Sequence, residues 1–306
     1  MCGIFGTSRI TPTTRAMFPF LAWAMESRGT DSWGASDGLE CVRHLGPISA
    51  SYELPDWRWA IIHTRMASVG AVNLTNCHPF EFPTPDGGRL IGIHNGGISN
   101  YAELNRKYER KFDCDSPHIY ANLAAGLPLE DLRGTAALAW IATPHSGTPI
   151  LNLARINSNN LEVCKLESGE VVFASELRPI VKAACFARAK IATTYKIKED
   201  RHYYIELDAL DHTPYEGDKM EFGRYQYSGT SHACGYTGGS SKGWVGEKNF
   251  SCVGCNTKYA LALHESPRVV CIQCLTKIKD RFDRGEEPTL PVQYSGGGED
   301  NNDYIN

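Results

Sequence analysis

The sequence contains no apolar run long enough to cross a membrane as a helix. Its longest unbroken apolar stretch is the seven residues from Ala136 to Ala142, whereas a transmembrane helix needs about 20. The amino terminus lacks the basic segment and apolar stretch that are typical of a secretory signal. The 31 basic and 35 acidic side chains give a net charge of -4, so no global field favours nucleic acid or anionic lipid. We therefore expect a cytoplasmic protein without membrane contact.

Disulfide bonds are not needed to explain the stability of a chain of this size. Its 306 residues are enough for about two domains, and domains of that length bury a core without covalent help. The composition, 42% hydrophobic and 22% charged, excludes a mainly disordered chain. The 11 cysteines are therefore more typical of reduced thiols, metal ligands or a nucleophile than of a disulfide framework.

Residues 1 to 210 have an even composition, and we predict that they form one large domain. Helices are predicted from Ala16 to Ser27, from Ser99 or Asn100 to Arg110, and after Ser116, where Pro117 suits the first helical position. Short bounded apolar runs predict strands at Trp59 to Thr64, Leu90 to His94, Ala136 to Thr143, Ile150 to Arg155, Leu161 to Leu166 and Val171 to Ala174. Because strands outnumber helices and come in groups, we predict an α+β layered sandwich.

The remaining residues predict three further segments. Residues 211 to 248 form a connecting segment with a flexible linker, since ten of the nineteen residues from Ser228 to Gly246 are Gly or Ser. Residues 249 to 284 form a small cysteine-bearing module. Residues 285 to 306 contain five acidic and no basic side chains, a composition that predicts a disordered tail.

Two Cys-x-x-Cys pairs predict a structural zinc site in the small module. Cys252 and Cys255 are followed, after fifteen residues, by Cys271 and Cys274, a spacing that is typical of a four-thiolate zinc ribbon. A segment this small has too little apolar mass to form a core without metal. Two redox-active pairs or unrelated thiols are the alternative. The module is also rich in basic residues, but we favour a protein-docking role over nucleic-acid binding because of the acidic tail.

Cys2 follows the initiator methionine and is a candidate nucleophile. Removal of Met1 would leave a free α-amine on the residue that carries the thiol. An α-amine titrates at about 7.7 to 8.0 and a free thiol at about 8.5, so the amine can accept the thiol proton near neutral pH. Taken alone, a cysteine in second position is more often a small hydrophobic residue than a nucleophile.

Five fragments in a fixed order change that interpretation. They are Met1-Cys-Gly-Ile-Phe-Gly6, Arg28-Gly-Thr-Asp31, His63-Thr-Arg65, Asn76-Cys-His-Pro79, and the segment from His94-Asn-Gly96 to Leu104 with Asp115-Ser116 after it. Together they resemble the class II glutamine amidotransferases, the N-terminal-nucleophile family that includes glucosamine-6-phosphate synthase. The resemblance implies a four-layer αββα N-terminal-nucleophile hydrolase sandwich, to which the zinc module is appended.

The resemblance also implies the catalytic residues. Cys2 is the nucleophile, and the side-chain amide of Asn95 with the backbone N–H of Gly96 forms the oxyanion hole that stabilises the tetrahedral intermediate. No cofactor is expected for catalysis. Without the other fragments, Asn95-Gly96 is more typical of a type I′ hairpin turn.

Glutamine carries two charged groups, which a selective site must pair. By resemblance, Arg65 binds the α-carboxylate, for which a planar guanidinium is well suited. Asp115 matches the position that pairs with the α-ammonium, although an aspartate near a helix start is also an ordinary stabilising residue. Arg28 matches a position that orients the N-terminal nucleophile, and alone it would be a surface arginine. We interpret His63, His78 and His94 as satisfied core or loop histidines.

The loop after Arg65 departs from the family pattern. Met66 and Val69 stand where the family often has Trp and His, which removes an aromatic lid and a polar contact. These changes bear on glutamine affinity and on closure of the loop, and not on the nucleophile or the oxyanion hole.

The implied reaction is hydrolysis of the glutamine side-chain amide through a cysteine thioester. The linker, ribbon and tail, about 100 residues in all, are too short for an acceptor domain, so we expect the ammonia to pass to an acceptor or synthetase protein on another chain. The alternatives are a stand-alone γ-glutamyl amide hydrolase, or a non-catalytic binding module that uses the same fold.

Overall fold

The computed structural model describes residues 2–157 and 159–223, together with the backbone of residues 250–251 and 258–259. The chain divides into two compact units, Met1–Ser228 and Gly229–Asn306. The four predicted zinc cysteines lie outside the described residues, as do the predicted linker and the acidic tail. No helix within the described ranges is long and apolar enough to cross a membrane.

The described part of the first unit contains thirteen strands and four α-helices. In chain order they are β1 (Gly3–Thr7), α1 (Pro12–Glu26), β2 (Ser32–Ser36), β3 (Cys41–Leu45), β4 (Ala60–Arg65), β5 (Phe80–Pro83), β6 (Arg89–Ile98), α2 (Tyr101–Lys107), α3 (Pro117–Ala125), β7 (Gly134–Thr143), β8 (Ile150–Ile156), β9 (Glu162–Leu166), β10 (Val171–Ala174), α4 (Leu177–Phe186), β11 (Ile191–Lys196), β12 (Arg201–Glu206) and β13 (Tyr215–Lys219). In the second unit, β14 (Phe250–Ser251) pairs antiparallel with β15 (Lys258–Tyr259).

The strands of the first unit form two antiparallel sheets. The first sheet has seven strands in the order β11-β9-β10-β1-β4-β2-β3, so that the N-terminal strand lies near its centre. The second sheet has six strands in the order β13-β12-β8-β7-β6-β5. In both sheets the strands pair antiparallel. Successive side chains of each strand point to opposite faces, so apolar side chains can be buried on both faces of a sheet.

Three apolar clusters define the layers. Phe5 packs with α1 and α4 on the outer face of the first sheet, where Met17 and Ile180 are fully buried. Its neighbour Ile4 packs between the two sheets, against side chains of the second sheet that include Ile93. The outer face of the second sheet is covered by α2 and α3. This arrangement gives four layers in the order helix, sheet, sheet, helix, and it confirms the predicted α+β sandwich.

Several local predictions need correction. The helix predicted to run to Arg110 ends at Lys107, and the side chain of Asn100 does not cap it, because its Oδ1 accepts from the Arg133 N–H at 3.0 Å instead. Ser116 does not cap α3 either, since its hydroxyl oxygen lies 2.9 Å from Nδ1 of His94. In both cases a tertiary partner outcompetes the local backbone N–H groups for the polar side chain.

Candidate active site

Pairing of the first strands brings distant fragments of the sequence to one end of the sandwich. Gly3 of β1 lies opposite Thr64 of β4, which places Cys2 beside Arg65 at the same edge of the first sheet. Strand β6, which carries Asn95, runs close to both β1 and β4, and Nε2 of His63 lies 3.0 Å from the carbonyl oxygen of His94. Because side chains alternate along strands, Cys2 shares with Ile4 the face that looks toward the second sheet.

The thiol of Cys2 is partly buried, and its Sγ lies 3.6 Å from the carbonyl oxygen of Met66. Burial raises the pKa of the Cys2 thiol above its usual value, whereas the positive charge of Arg65 acts in the opposite direction. The thiol is therefore protonated at neutral pH. A nucleophile of this kind needs a base that removes the proton as the sulfur attacks.

Arg28 contacts the backbone of Cys2. Its Nε donates to the Cys2 carbonyl oxygen at 2.9 Å, and its guanidinium forms an ion pair with Glu176. Glu176 comes just before α4, and Ser175 beside it accepts a hydrogen bond from the Ile4 N–H at 2.9 Å. Sequence reasoning missed Glu176, since it lies 148 positions from Arg28 and no local pattern joins the two.

Asn95 and Gly96 lie inside β6, opposite Ala137 and Ala136 of β7. The hairpin-turn alternative is therefore wrong. Asn95 is buried, with 5% of its surface exposed. A Cβ at Gly96, where φ is +155°, would lie 2.0 Å from the carbonyl oxygen of Thr135, so only glycine fits here. The strand thus approaches its neighbour closely at the position where the resemblance places the oxyanion hole.

Arg65, at the end of β4, holds the loop that follows it. Its Nη2 donates to Val69 O at 2.7 Å and its Nη1 to Ala71 O at 3.2 Å, although only 4% of the residue is exposed. A guanidinium has five N–H donors in a plane, so these two bonds leave further donors for a carboxylate. The structure thus gives Arg65 a loop-positioning role that the sequence did not indicate.

The same loop is anchored from outside by two carboxylates. Asp113 accepts from the Ala71 N–H at 3.1 Å and from the side-chain amide of Asn76 at 2.8 Å, and these bonds hold the pKa of Asp113 below its usual value. Asp31 accepts from the Ala67 N–H at 2.7 Å. Three of the fragments that carry the family resemblance therefore meet at this loop.

The side chain of Asp115 is tied to β6, whereas its backbone carbonyl accepts from the His118 N–H of α3 at 3.3 Å. Its Oδ2 accepts from the Ile98 N–H at 2.8 Å, and its Oδ1 accepts from the Ser116 hydroxyl at 3.4 Å. Only 7% of Asp115 is exposed. These bonds place the carboxylate beside the strand that carries Asn95 and Gly96, and they argue against the interpretation of Asp115 as an ordinary helix-start residue.

His63 and His78 are buried and neutral. Their rings stack with centroids 3.8 Å apart, and burial lowers the pKa of His63 to about 3 and that of His78 well below its usual value. Neither can act as a proton donor at neutral pH, as expected for core residues. They are not fully satisfied, however, because Nδ1 of His63 and both ring nitrogens of His78 have no hydrogen-bond partner among the described residues.

Within the part of the chain that the structure describes, no group of three or more His, Cys, Asp or Glu side chains could hold a metal ion. The zinc prediction therefore concerns only Cys252, Cys255, Cys271 and Cys274, which lie outside the described residues.

Comparison with known proteins relates the chain to a group of enzymes. No family model matches it. It is 33% identical over 241 residues to glutamine--fructose-6-phosphate aminotransferase [isomerizing] of Streptococcus pneumoniae, covering 74% of this chain and 39% of that protein. It is 32% identical over 176 residues to the Gluconobacter oxydans protein of the same name, covering 48% of this chain and 28% of the relative. The chain thus spans well under half the length of these relatives.

Solved structures show the same fold. Glutamine phosphoribosylpyrophosphate (PRPP) amidotransferase from B. subtilis, complexed with ADP and GMP, matches with a TM-score of 0.52 at 21% identity, covering 71% of this chain and 49% of that one. Both kinds of relative are class II, N-terminal-nucleophile glutamine amidotransferases, enzymes whose nucleophile is an N-terminal cysteine. The comparisons confirm the family resemblance for the sandwich and do not extend to the predicted zinc ribbon.

Proposed function

We propose that the sandwich hydrolyses the side-chain amide of glutamine, with Cys2 as nucleophile, and that the ammonia is used by an acceptor enzyme. The observation that carries this proposal is the meeting of Cys2, Arg65 and the Asn95-Gly96 peptide at one end of the two sheets. The chain is also homologous to enzymes that use an N-terminal cysteine. Intact residues at all of these positions favour an enzyme over a non-catalytic binding module.

The first half of the reaction forms a thioester. After removal of Met1, the α-amine of Cys2 accepts the thiol proton as Sγ attacks the side-chain amide carbon of glutamine. The carbonyl oxygen becomes an oxyanion, which accepts hydrogen bonds from the Asn95 side-chain amide and the Gly96 N–H. The proton then passes from the ammonium of Cys2 to the amide nitrogen, the C–N bond breaks, and ammonia leaves.

The second half returns the enzyme to its starting state. Water loses a proton to the α-amine while its oxygen attacks the thioester carbon, and the oxyanion hole is used again. The C–S bond breaks, the sulfur recovers the proton, and glutamate is released. Because burial raises the pKa of the Cys2 thiol, the first half needs a base that removes the thiol proton, and in the second half the same amine takes a proton from water.

Two charged side chains would select glutamine among amides. Arg65 would pair with the α-carboxylate through the donors that its loop carbonyls do not use. Asp115, held beside β6 by the Ile98 N–H, would pair with the α-ammonium. Both side chains are more than nine-tenths buried, so each charge is costly without a partner and favourable with a complementary ligand.

The proposal is tested by intact mass and glutamine hydrolysis of the purified full chain. We expect the mass of a chain that begins at Cys2, release of glutamate and ammonia, and loss of both in Cys2→Ala. The matched control is Cys185→Ala, because Cys185 is an exposed cysteine on the opposite side of the first sheet from the proposed site. Retention of Met1 in the active protein, or full hydrolysis by Cys2→Ala, would exclude the proposed nucleophile.

We further propose that the acceptor enzyme is a separate protein. The side chains exposed on the loop after Arg65 offer a contact surface for it, namely Met66, Val72 and Leu74 at 44%, 50% and 53% exposure. Ammonia that is released without an acceptor is lost to solvent. We propose that the loop after Arg65 can close over bound glutamine, and that an acceptor that binds the closed state more tightly raises the rate of hydrolysis. Its effect is limited by its differential affinity for the closed state.

This part of the proposal is tested by capture of partners with the tagged full chain from its native cell, followed by glutaminase assays with each captured protein. We expect at least one protein that raises the rate. If the isolated chain already hydrolyses glutamine at rates typical of efficient enzymes, and no captured protein changes that rate, the stand-alone γ-glutamyl amide hydrolase is the better description.

We propose, finally, that Cys252, Cys255, Cys271 and Cys274 bind a structural zinc ion and that the module docks onto protein in preference to nucleic acid. The antiparallel pair of β14 and β15 supports this, because its two strands flank the segment that contains Cys252 and Cys255, as expected for a zinc knuckle. We also propose a cytoplasmic location. The six cysteines within the described ranges are all free thiols, which suits a reducing compartment.

A further inference from the structure

Asn159 contacts the backbone of the proposed oxyanion hole. It lies between β8 and β9, and its side-chain Nδ2 is 3.0 Å from the carbonyl oxygen of Asn95 and 3.0 Å from the hydroxyl oxygen of Thr135. The same nitrogen would lie 2.7 Å from a Cβ at Gly96. One side-chain amide therefore bonds the carbonyl of the Asn95-Gly96 peptide and occupies the space next to the Gly96 Cα.

The position of Asn159 is itself fixed by a half-buried arginine side chain. The Nε of Arg155, on β8, donates to the carbonyl oxygen of Asn159 at 2.6 Å, and its Nη1 donates to Ile197 O at 3.1 Å. The backbone of Asn159 is thus held while its side chain reaches β6 and β7. A side chain that is anchored at both ends loses little additional freedom when it orients a neighbour.

The carbonyl of Asn95 and the N–H of Gly96 belong to one planar peptide group, so a bond at one end orients and polarises the other. The peptide plane has no soft rotation of its own. A donor on the carbonyl oxygen fixes the direction of the N–H, and hydrogen bonds in such a chain strengthen one another. The N–H is the group that the proposed mechanism aims at the oxyanion, where preorganised donors contribute most to the rate.

We propose that Asn159 is a positioning residue for glutamine hydrolysis: its side-chain amide holds the Asn95-Gly96 peptide so that the Gly96 N–H meets the oxyanion of the tetrahedral intermediate. The inference rests on the proposed function and adds a residue that neither the sequence motifs nor the resemblance marks. Asn159 does not touch the substrate in this role, and it acts through the backbone of Gly96.

The hydrogen bond can be tested without any assay of activity. Asn95-Gly96 is the only Asn-Gly pair in the sequence, so full-length protein with ¹³C-carbonyl asparagine and ¹⁵N glycine gives a single carbonyl-to-amide cross-peak. We expect Asn159→Ala to shift the Asn95 carbonyl and the Gly96 amide in this peak. The matched control Asn160→Ala, which removes an exposed asparagine next along the chain, should leave it in place. An unchanged peak in Asn159→Ala would overturn the proposal.

The kinetic test separates positioning from a structural role. With glutamine as substrate, Asn159→Ala should lower kcat roughly 10-fold, less than direct loss of an oxyanion donor, while KM and the melting temperature stay as in Asn160→Ala. Asn159→Asp should lose more activity at neutral pH, because a carboxylate repels the Asn95 carbonyl oxygen. Its rate relative to wild type should recover as the pH falls and the carboxyl group gains the proton with which it can donate.

The outcomes distinguish this inference from the function on which it rests. If the wild-type protein hydrolyses glutamine and Asn159→Ala retains its kcat, the positioning role is overturned while the function stands. The role is also overturned if kcat, KM and melting temperature all fall together in Asn159→Ala. If the wild-type protein hydrolyses no glutamine, the function fails, and the catalytic role of Asn159 fails with it even where the cross-peak shifts.

Discussion

The Nε of Arg28 donates to the carbonyl oxygen of Cys2 at 2.9 Å, and the guanidinium is held in turn by Glu176. These bonds link the residue that carries the proposed nucleophile to the turn after α1 and to the start of α4. The sulfur and the α-amine of Cys2 must both reach the substrate, so the backbone between them needs a fixed position. Arg28 fixes this backbone through the Cys2 carbonyl, without contact to the sulfur or the α-amine in the bonds described.

We therefore expect Arg28→Met to lower kcat for glutamine hydrolysis by roughly 10- to 100-fold, because small displacements of a reacting group are costly. KM should change less. The matched control is Arg15→Met, which removes the exposed ion pair with Asp56, and exposed pairs contribute little. Wild-type turnover in Arg28→Met would show that the contact with Cys2 has no catalytic effect.

Asn95→Ala should lower kcat by roughly 10²- to 10³-fold with little change in KM, because the oxyanion donor acts mainly on charge that develops in the transition state. The measurement is steady-state hydrolysis of glutamine. Asn105→Ala serves as control, since the side chain of Asn105 bonds only the Phe112 backbone in the described part of the chain. A large rise in KM with unchanged kcat would assign Asn95 to binding instead.

Arg65→Lys should raise KM for glutamine at least 10-fold, since an ammonium cannot grip a carboxylate bidentately. The same substitution should raise KM much less for 4-aminobutanamide, which lacks the α-carboxylate. Asp113→Asn separates this effect from loop anchoring. It removes the charge of the carboxylate that accepts from Ala71 and Asn76, and it should raise KM for both substrates alike. Equal losses for both substrates in Arg65→Lys would mean that Arg65 acts only on the loop.

The buried His63 predicts a loss of stability in acid. Its pKa is about 3 in the folded protein and about 6.5 in an unfolded chain, so below pH 6.5 the unfolded state binds the additional proton and the free energy of unfolding falls as the pH falls. Urea unfolding of the full chain between pH 7 and pH 5 measures this. His63→Gln should reduce the dependence of the free energy of unfolding on pH by up to about 1.4 kcal/mol per pH unit. Exchange of the exposed His145 for Gln is the control for the loss of a histidine.

Metal analysis tests the predicted ribbon. Purified full-length protein should contain about one zinc ion per chain, and Cys252→Ser with Cys271→Ser should remove it while glutamine hydrolysis by the sandwich persists. Cys185→Ser is the matched control, because Cys185 is exposed on α4 of the first unit. Zinc near zero in wild-type protein purified without chelator, or full zinc in the double variant, would refute the four-cysteine site.

The candidate residues could be identified from short fragments of the sequence. Cys2, Arg65 and the Asn95-Gly96 pair were indicated by short fragments whose order along the chain is informative even though each fragment is weak. The α+β class followed from the number and grouping of short apolar runs such as Val171 to Ala174, a strand that the structure reproduces. These signals are local, since each depends on neighbours within about ten positions.

Only the tertiary structure decided what those residues contact. Asn-Gly is a turn signal locally, yet β7 pairs with both residues and makes them part of a strand, because sheet pairing can override local propensity. Glu176 holds Arg28 across 148 positions, and Asn159 reaches Asn95 across 64. No local sequence pattern marks contacts between residues so far apart. The residues that support the site, such as Glu176 and Asn159, reach their partners only once the two sheets have packed.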